Sequence, residues 1–131
     1  MKKVLVIDDH TTAKDIIEKW SEGRMAVSHL WRIPDDLSIL KDYDALVVDG
    51  QGIGNKAFHN GMELLMSYEK PEGQSVVYYS GNGAYGEEKK ELEKRGVAAV
   101  TKGSNPEKLI LAIEFAMEKK KGGENGNSEN A

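Results

Sequence analysis

The run Asp44-Ala45-Leu46-Val47-Val48-Asp49-Gly50 decides how the rest of the chain is read. An unbroken apolar stretch, Ala45 to Val48, stops abruptly on a carboxylate and then on a glycine-rich loop. A continuous apolar run of this kind suits a strand buried on both faces of a parallel sheet. In such sheets ligands bind just beyond the carboxyl ends of the strands. Asp49 would stand where the strand stops, held rigidly yet within reach of solvent. The competing reading is that Asp49 merely starts a turn, and the other segments have to decide between the two.

Working outward, Val4-Leu5-Val6-Ile7 is a second buried strand, and it ends on Asp8-Asp9. Ser75-Val76-Val77-Tyr78-Tyr79 ends on Ser80-Gly81, and Val97 to Thr101 ends on Lys102. Met25 to Ile33 is a strand of mixed alternation. Between these lie helical patterns. Thr11 or Thr12 caps a helix with Ala13, Ile16, Ile17 and Trp20 on one face, and Pro34-Asp35-Asp36 opens a short helix through Leu40 or Lys41. Asn60 or Gly61 begins a third, with Met62, Leu65 and Met66 inward, and Tyr85 to Arg95 is a charged helix anchored by Tyr85 and Leu92 and stopped by Gly96. Asn105-Pro106-Glu107 starts the last, with Leu109, Ala112, Ile113, Ala116 and Met117 inward. Five strands alternating with five helices predict a doubly wound, five-stranded parallel sheet of the flavodoxin-like (βα)5 class, in strand order 2-1-3-4-5. Residues 1-118 form this domain, and 119-131, rich in Lys, Gly, Asn, Glu and Ser, reads as a disordered tail or truncated linker.

Composition narrows the function classes. The chain has 131 residues, 39% hydrophobic and 31% charged, which fits one domain with a core. A formal net charge of -4 supplies no global basic field for nucleic acid or a membrane surface. The lack of cysteine excludes disulfides, thiol catalysis and cysteine-ligated zinc, and is compatible with the cytoplasm. Val4 to Ile7 is too short for a signal-peptide core, and no later run approaches a membrane span.

Order 2-1-3-4-5 places the first and third strands side by side, so Asp8, Asp9 and Asp49 converge. Three clustered carboxylates repel, and a hard divalent ion with oxygen ligands, magnesium above all, relieves that repulsion. Lys102 adds a fixed positive charge and Ser80 a hydroxyl. The set suits phosphoryl transfer to a carboxylate, with Asp49 as nucleophile. Other readings carry less. Gly50-Gln51-Gly52-Ile53-Gly54 lacks both the dinucleotide spacing and a Gly-Lys-Ser/Thr end. His10, His29 and His59 show no ligand spacing. Leu111 and Phe115, four apart and off the inner face of the last helix, suggest a contact surface.

Val4 to Asp9, Leu46 to Asp49, Val76 to Gly81 and Val100 to Lys102 together resemble the CheY-like receiver domain of two-component response regulators, over residues 2 to about 118. The resemblance implies magnesium held by the side chains of Asp9 and Asp49, by Asp8 through water, and by the backbone carbonyl of Gln51. It implies Asp49 as phosphoacceptor, Ser80 bonded to a phosphoryl oxygen and Lys102 paired with the phosphoryl group. It further implies a cytoplasmic signalling switch and not an enzyme, apart from self-catalysed phosphoacceptance and autodephosphorylation. Its partners would be a histidine kinase or phosphotransfer protein and a downstream protein, with a homodimer through the last helix as one form of contact, and with neither nucleic acid nor membrane bound directly.

Three departures stand out. The loop from Gly50 to Asn60 is long, lacks proline and is expected to be mobile. Ala99 occupies the position of the family's switch aromatic, and Gly103 stands where proline usually follows the lysine. These motivate an alternative, a receiver-like module that binds partners or dimerises constitutively. A haloacid-dehalogenase-like phosphatase also uses a strand-end aspartate, normally in an Asp-x-Asp pattern on the first strand, whereas His10 follows Asp8-Asp9 here.

Overall fold

Asp49 closes a strand buried along its whole length. In the computed structural model, which describes residues 1–119, β3 (Ala45–Asp49) is flanked by β1 (Lys2–Ile7) and β4 (Ser75–Ser80). β2 (Met25–Leu30) and β5 (Val97–Thr101) form the edges, giving an all-parallel sheet in the order β2-β1-β3-β4-β5. The expected topology is the one observed.

Side-chain alternation divides the core into two layers. Leu5, Ile7, Leu46, Val48, Val76 and Tyr78 face one side, where they meet Leu40, Leu64, Leu65 and Leu92. These come from a 3₁₀ helix (Leu37–Asp42), from α2 (Gly61–Leu65) and from α3 (Gly86–Lys94). Val4, Val6, Ala45, Val47, Val77 and Tyr79 face the other side, against Ala13 and Ile17 of α1 (Thr12–Trp20) and Leu109, Ile110 and Ile113 of α4 (Pro106–Glu114). The strands read as unbroken apolar runs because both faces are covered.

Helix ends follow local chemistry. Asn60 accepts from the Glu63 N–H and Asn105 from the Glu107 N–H, capping α2 and α4. Lys2 Nζ donates to the carbonyls of Ile113 and Glu114 at 3.3 Å, tying the first strand to the C-terminus of α4. Gly96 follows α3 with φ +74°.

Several expectations need correcting. The short second helix forms after Asp36 as a 3₁₀ helix and runs on to Asp42, past the expected end at Leu40 or Lys41. Asp36 takes both the Ser38 N–H and hydroxyl at its start, and Tyr43 is already extended at its end. β2 stops at Leu30, because the Ile33 N–H bonds the Ile53 carbonyl instead. Trp20 is 44% exposed and Tyr85 73% exposed, so neither anchors its helix. α4 ends at Glu114, leaving Ala116 and Met117 half-buried beyond it. The Gly50–Asn60 loop is tied down. Ile53 is fully buried, Asn55 Nδ2 donates to the carbonyls of Ile33 and Pro34, and Asn55 Oδ1 accepts from Ala57 and Phe58. Apart from Lys119, the tail expected over 119-131 lies outside the described residues.

Candidate functional site: an acid cluster closed by one lysine

The register pairs Ile7 with Val48, so the residues that follow them, Asp8 and Asp49, leave adjacent strands at the same level. Both are buried, whereas Asp9 is exposed. Asp8 continues the ladder through its N–H to the Leu30 carbonyl, and its Oδ1 accepts the His10 N–H at 2.9 Å. Asp49 Oδ1 accepts the Gly50 N–H at 2.7 Å. From the far side, Lys102 follows β5, its N–H bonded to the Ser80 carbonyl. Its Nζ lies 3.0 Å from Asp8 Oδ2 and 3.0 Å from Asp49 Oδ1.

One cation between two buried acids leaves the cluster short of positive charge. Burial pushes the Asp49 carboxyl above its ordinary value and the Asp8 charge adds to this, while Lys102 offsets only part of it. For Lys102, burial works against the ammonium, but its bonds and charge attraction to Asp49 and Asp8 outweigh that and hold it above its ordinary value. The lysine gains from two carboxylates, and each carboxylate has only a share in one lysine. The Tyr79 ring packs 5.8 Å beneath Lys102 Nζ, and burial raises its phenol.

Asp8, Asp9 and Asp49 each offer a carboxylate oxygen within 4.8 Å of the others. An all-oxygen donor set with surplus negative charge fits a hard divalent cation. Gly52, at φ +81°, contributes by absence, because a Cβ there would run into the Asp9 carboxylate. Its neighbour Gln51 is exposed at the mouth of the site.

The structure thus gathers Asp8, Asp9, Asp49 and Lys102 at one point. Ser80 lies alongside. It is buried, its Oγ stands 3.0 Å from where a Gly50 Cβ would sit, and it accepts the Asn82 N–H at 3.3 Å. Gly61 lets α2 approach β3 closely, since a Cβ there would meet the Asp49 carbonyl and Val48. Gly103 has φ +86°, which proline's ring forbids, so the turn after Lys102 differs in kind from a Lys-Pro turn.

Sequence reasoning missed two neighbours. His29 Nε2 lies 2.8 Å from the Asp8 carbonyl, with its ring centroid 4.5 Å from that of Trp31. The Tyr78 hydroxyl reaches Gly50. The signal for Tyr78 was strand parity, since it precedes Ser80 by two residues and shares its face. His29 carried no comparable signal.

No protein-family model matches the chain, and no curated protein matches it. Solved structures do. A CheY-like response regulator receiver domain protein from Methanospirillum hungatei JF-1 is 23% identical, with TM-score 0.64, over 87% of this chain and 91% of that one. The receiver domain of a Francisella response regulator is 25% identical, with TM-score 0.66, over 87% of this chain and 94% of that one. A response regulator from Burkholderia pseudomallei, solved with a phosphorylated aspartic acid, calcium ion and citrate, is 21% identical, with TM-score 0.61, over 86% of this chain and 66% of that one. The chain therefore has the CheY-like fold of response regulator receiver domains. No helix among the described residues is long and apolar enough to cross a membrane.

Proposed function

We propose that the chain is a phosphorylation-controlled signalling switch that accepts a phosphoryl group on Asp49, with Mg2+, from a histidine kinase or phosphotransfer protein. The observation that carries this reading is the single Lys102 ammonium shared by buried Asp8 and Asp49, beside a third carboxylate on Asp9. Asp8, Asp9 and Asp49, with the Gln51 carbonyl, would hold the ion, which would supply positive charge to offset the phosphoryl oxygens. The chain's own groups do the rest. Asp49 Oδ1 is occupied by Lys102 and Gly50, which orients the carboxylate and leaves Oδ2 without a partner among the described residues. A carboxylate oxygen attacks phosphorus and the donor's phosphorus–nitrogen or phosphorus–oxygen bond breaks. Lys102 then pairs with a phosphoryl oxygen and Ser80 donates to another. The protein turns over no separate substrate, and self-catalysed phosphoacceptance and autodephosphorylation are its only chemistry.

Exposed Leu111 on α4 and Phe115 just beyond it support a contact surface for a downstream protein or a second copy of the chain. Such a switch works in the cytoplasm. A second reading, constitutive binding without phosphorylation, draws support from Ala99 and from the Gly103 turn. Incubation with acetyl phosphate separates the two. Acid-labile phosphate that requires Mg2+ and is absent in Asp49→Asn supports the switch, and an unlabelled parent chain supports the constitutive module.

A further inference from the structure

Tyr78 is only 6% exposed, and its ring belongs to the core layer on the α2 and α3 side of the sheet. Its ladder partner on β5 is Ala99, which packs against the same layer. The ring therefore has a small neighbour where a second large side chain would have crowded it. A Cβ on Gly50 would stand 2.7 Å from the Tyr78 hydroxyl and 3.0 Å from Ser80 Oγ. The two hydroxyls flank the backbone immediately after Asp49, and glycine at 50 is what lets them approach it.

Elsewhere in the core the Tyr68 hydroxyl donates to Gln74 Oε1 at 2.9 Å. The Tyr78 hydroxyl instead opens, without a bonded partner among the described residues, onto a cavity of about 490 Å³ that Ser80, Asn82 and Gln51 also line. At the wall of that cavity the phenol keeps its proton free for an acceptor that comes within reach. Ser80 Oγ flanks the same point at Gly50 and can rotate, and its present bond, from the Asn82 N–H, is long at 3.3 Å. A serine hydroxyl has one proton to give and two lone pairs to receive. An incoming donor on Ser80 Oγ fixes the direction in which Ser80 gives its own proton, and serial hydrogen bonds strengthen one another.

We propose that Tyr78 is a positioning residue for Ser80: with a phosphoryl group on Asp49, the Tyr78 hydroxyl donates to Ser80 Oγ and turns the Ser80 proton toward a phosphoryl oxygen. The inference rests on Asp49 being the phosphoacceptor. Tyr78 itself touches no phosphoryl oxygen and acts through Ser80.

The test is a double-mutant cycle of Tyr78→Phe and Ser80→Ala, following Asp49 phosphorylation by acetyl phosphate with Mg2+. Tyr78→Phe keeps the ring and deletes only the hydroxyl. It should lower the maximal rate about three- to tenfold, the worth of one hydrogen bond, with the half-saturating acetyl phosphate concentration unchanged. Added to Ser80→Ala, it should change nothing further. An unchanged rate in Tyr78→Phe, or an equal loss in both backgrounds as a packing defect would give, overturns the proposal and leaves the phosphoacceptor reading standing. A parent chain that takes no label overturns both.

Discussion

Two polar clusters sit at opposite ends of the same sheet, and their wiring differs. At the N-terminal ends of β3 and β4, buried Gln74 accepts from the Tyr68 hydroxyl and gives its two amide protons to the carbonyls of Leu40 and Tyr43. Lys70 Nζ, also buried, donates to the Gln74 carbonyl at 2.9 Å, at a cost, since burial and the like charge of Lys119 lower its affinity for a proton. At the C-terminal ends, two buried carboxylates share one ammonium with a third carboxylate beside them, and the Ser80 and Tyr78 hydroxyls are weakly bonded or unbonded among the described residues. Buried polar groups that satisfy one another specify one packing. Groups short of a counter-charge are poised for a ligand to complete them. The contrast teaches that polarity at a strand end is informative only with its hydrogen-bond account attached.

The largest expected effect falls on the satisfied cluster. Gln74→Ala strands the Tyr68 hydroxyl, the buried Leu40 carbonyl and the half-buried Tyr43 carbonyl, and opens a cavity. It should cost about 3 kcal/mol in urea unfolding while leaving any stabilisation by Mg2+ intact. A cost near zero would dissolve the contrast between the two ends.

Next in size is the metal. Mg2+ at one hundred times its dissociation constant should stabilise the chain by about 2.7 kcal/mol over a chelator control. Asp9 is exposed, so Asp9→Asn should leave the metal-free melting temperature nearly unchanged and shrink the Mg2+ gain sharply. An undiminished gain in that variant would move the ion away from the acid cluster.

The smallest effect is a pH slope. Because burial first and then the Asp8 charge raise the Asp49 carboxyl, the folded chain holds that proton more tightly than the unfolded chain does. Its contribution to stability therefore falls as pH rises from the ordinary carboxylate value, about 3.9, through the raised folded value. Asp49→Asn keeps an acceptor for Lys102 and Gly50 and removes this slope. Without metal at neutral pH it should be more stable than the parent by on the order of 1 kcal/mol. A less stable variant would mean that Lys102 fully compensates both acids.

Much of this arrangement was legible in the amino-acid order. Apolar runs ending abruptly on Asp8, Asp49, Ser80 and Lys102 give both the parallel sheet and the edge where its polar groups meet. What escaped depends on tertiary partners. The loop after Asp49 looks loose because it is rich in glycine, yet Ile53 and Asn55 pin it to the segment after β2. Trp20 and Tyr85 sit at helix ends, where an aromatic ring satisfies a helical pattern without being covered. Gln74 follows Gly73 and reads as a turn residue, because nothing local reveals the three groups it joins.

The central claim, that Asp49 is the phosphoacceptor, is tested most directly by borohydride reduction of acetyl phosphate-treated protein followed by peptide mass spectrometry. An aspartyl phosphate is reduced to homoserine at the modified position. The account predicts homoserine at residue 49 alone, dependent on Mg2+. Homoserine at Asp8 or Asp9, or none under conditions that phosphorylate an authentic receiver domain, would contradict it.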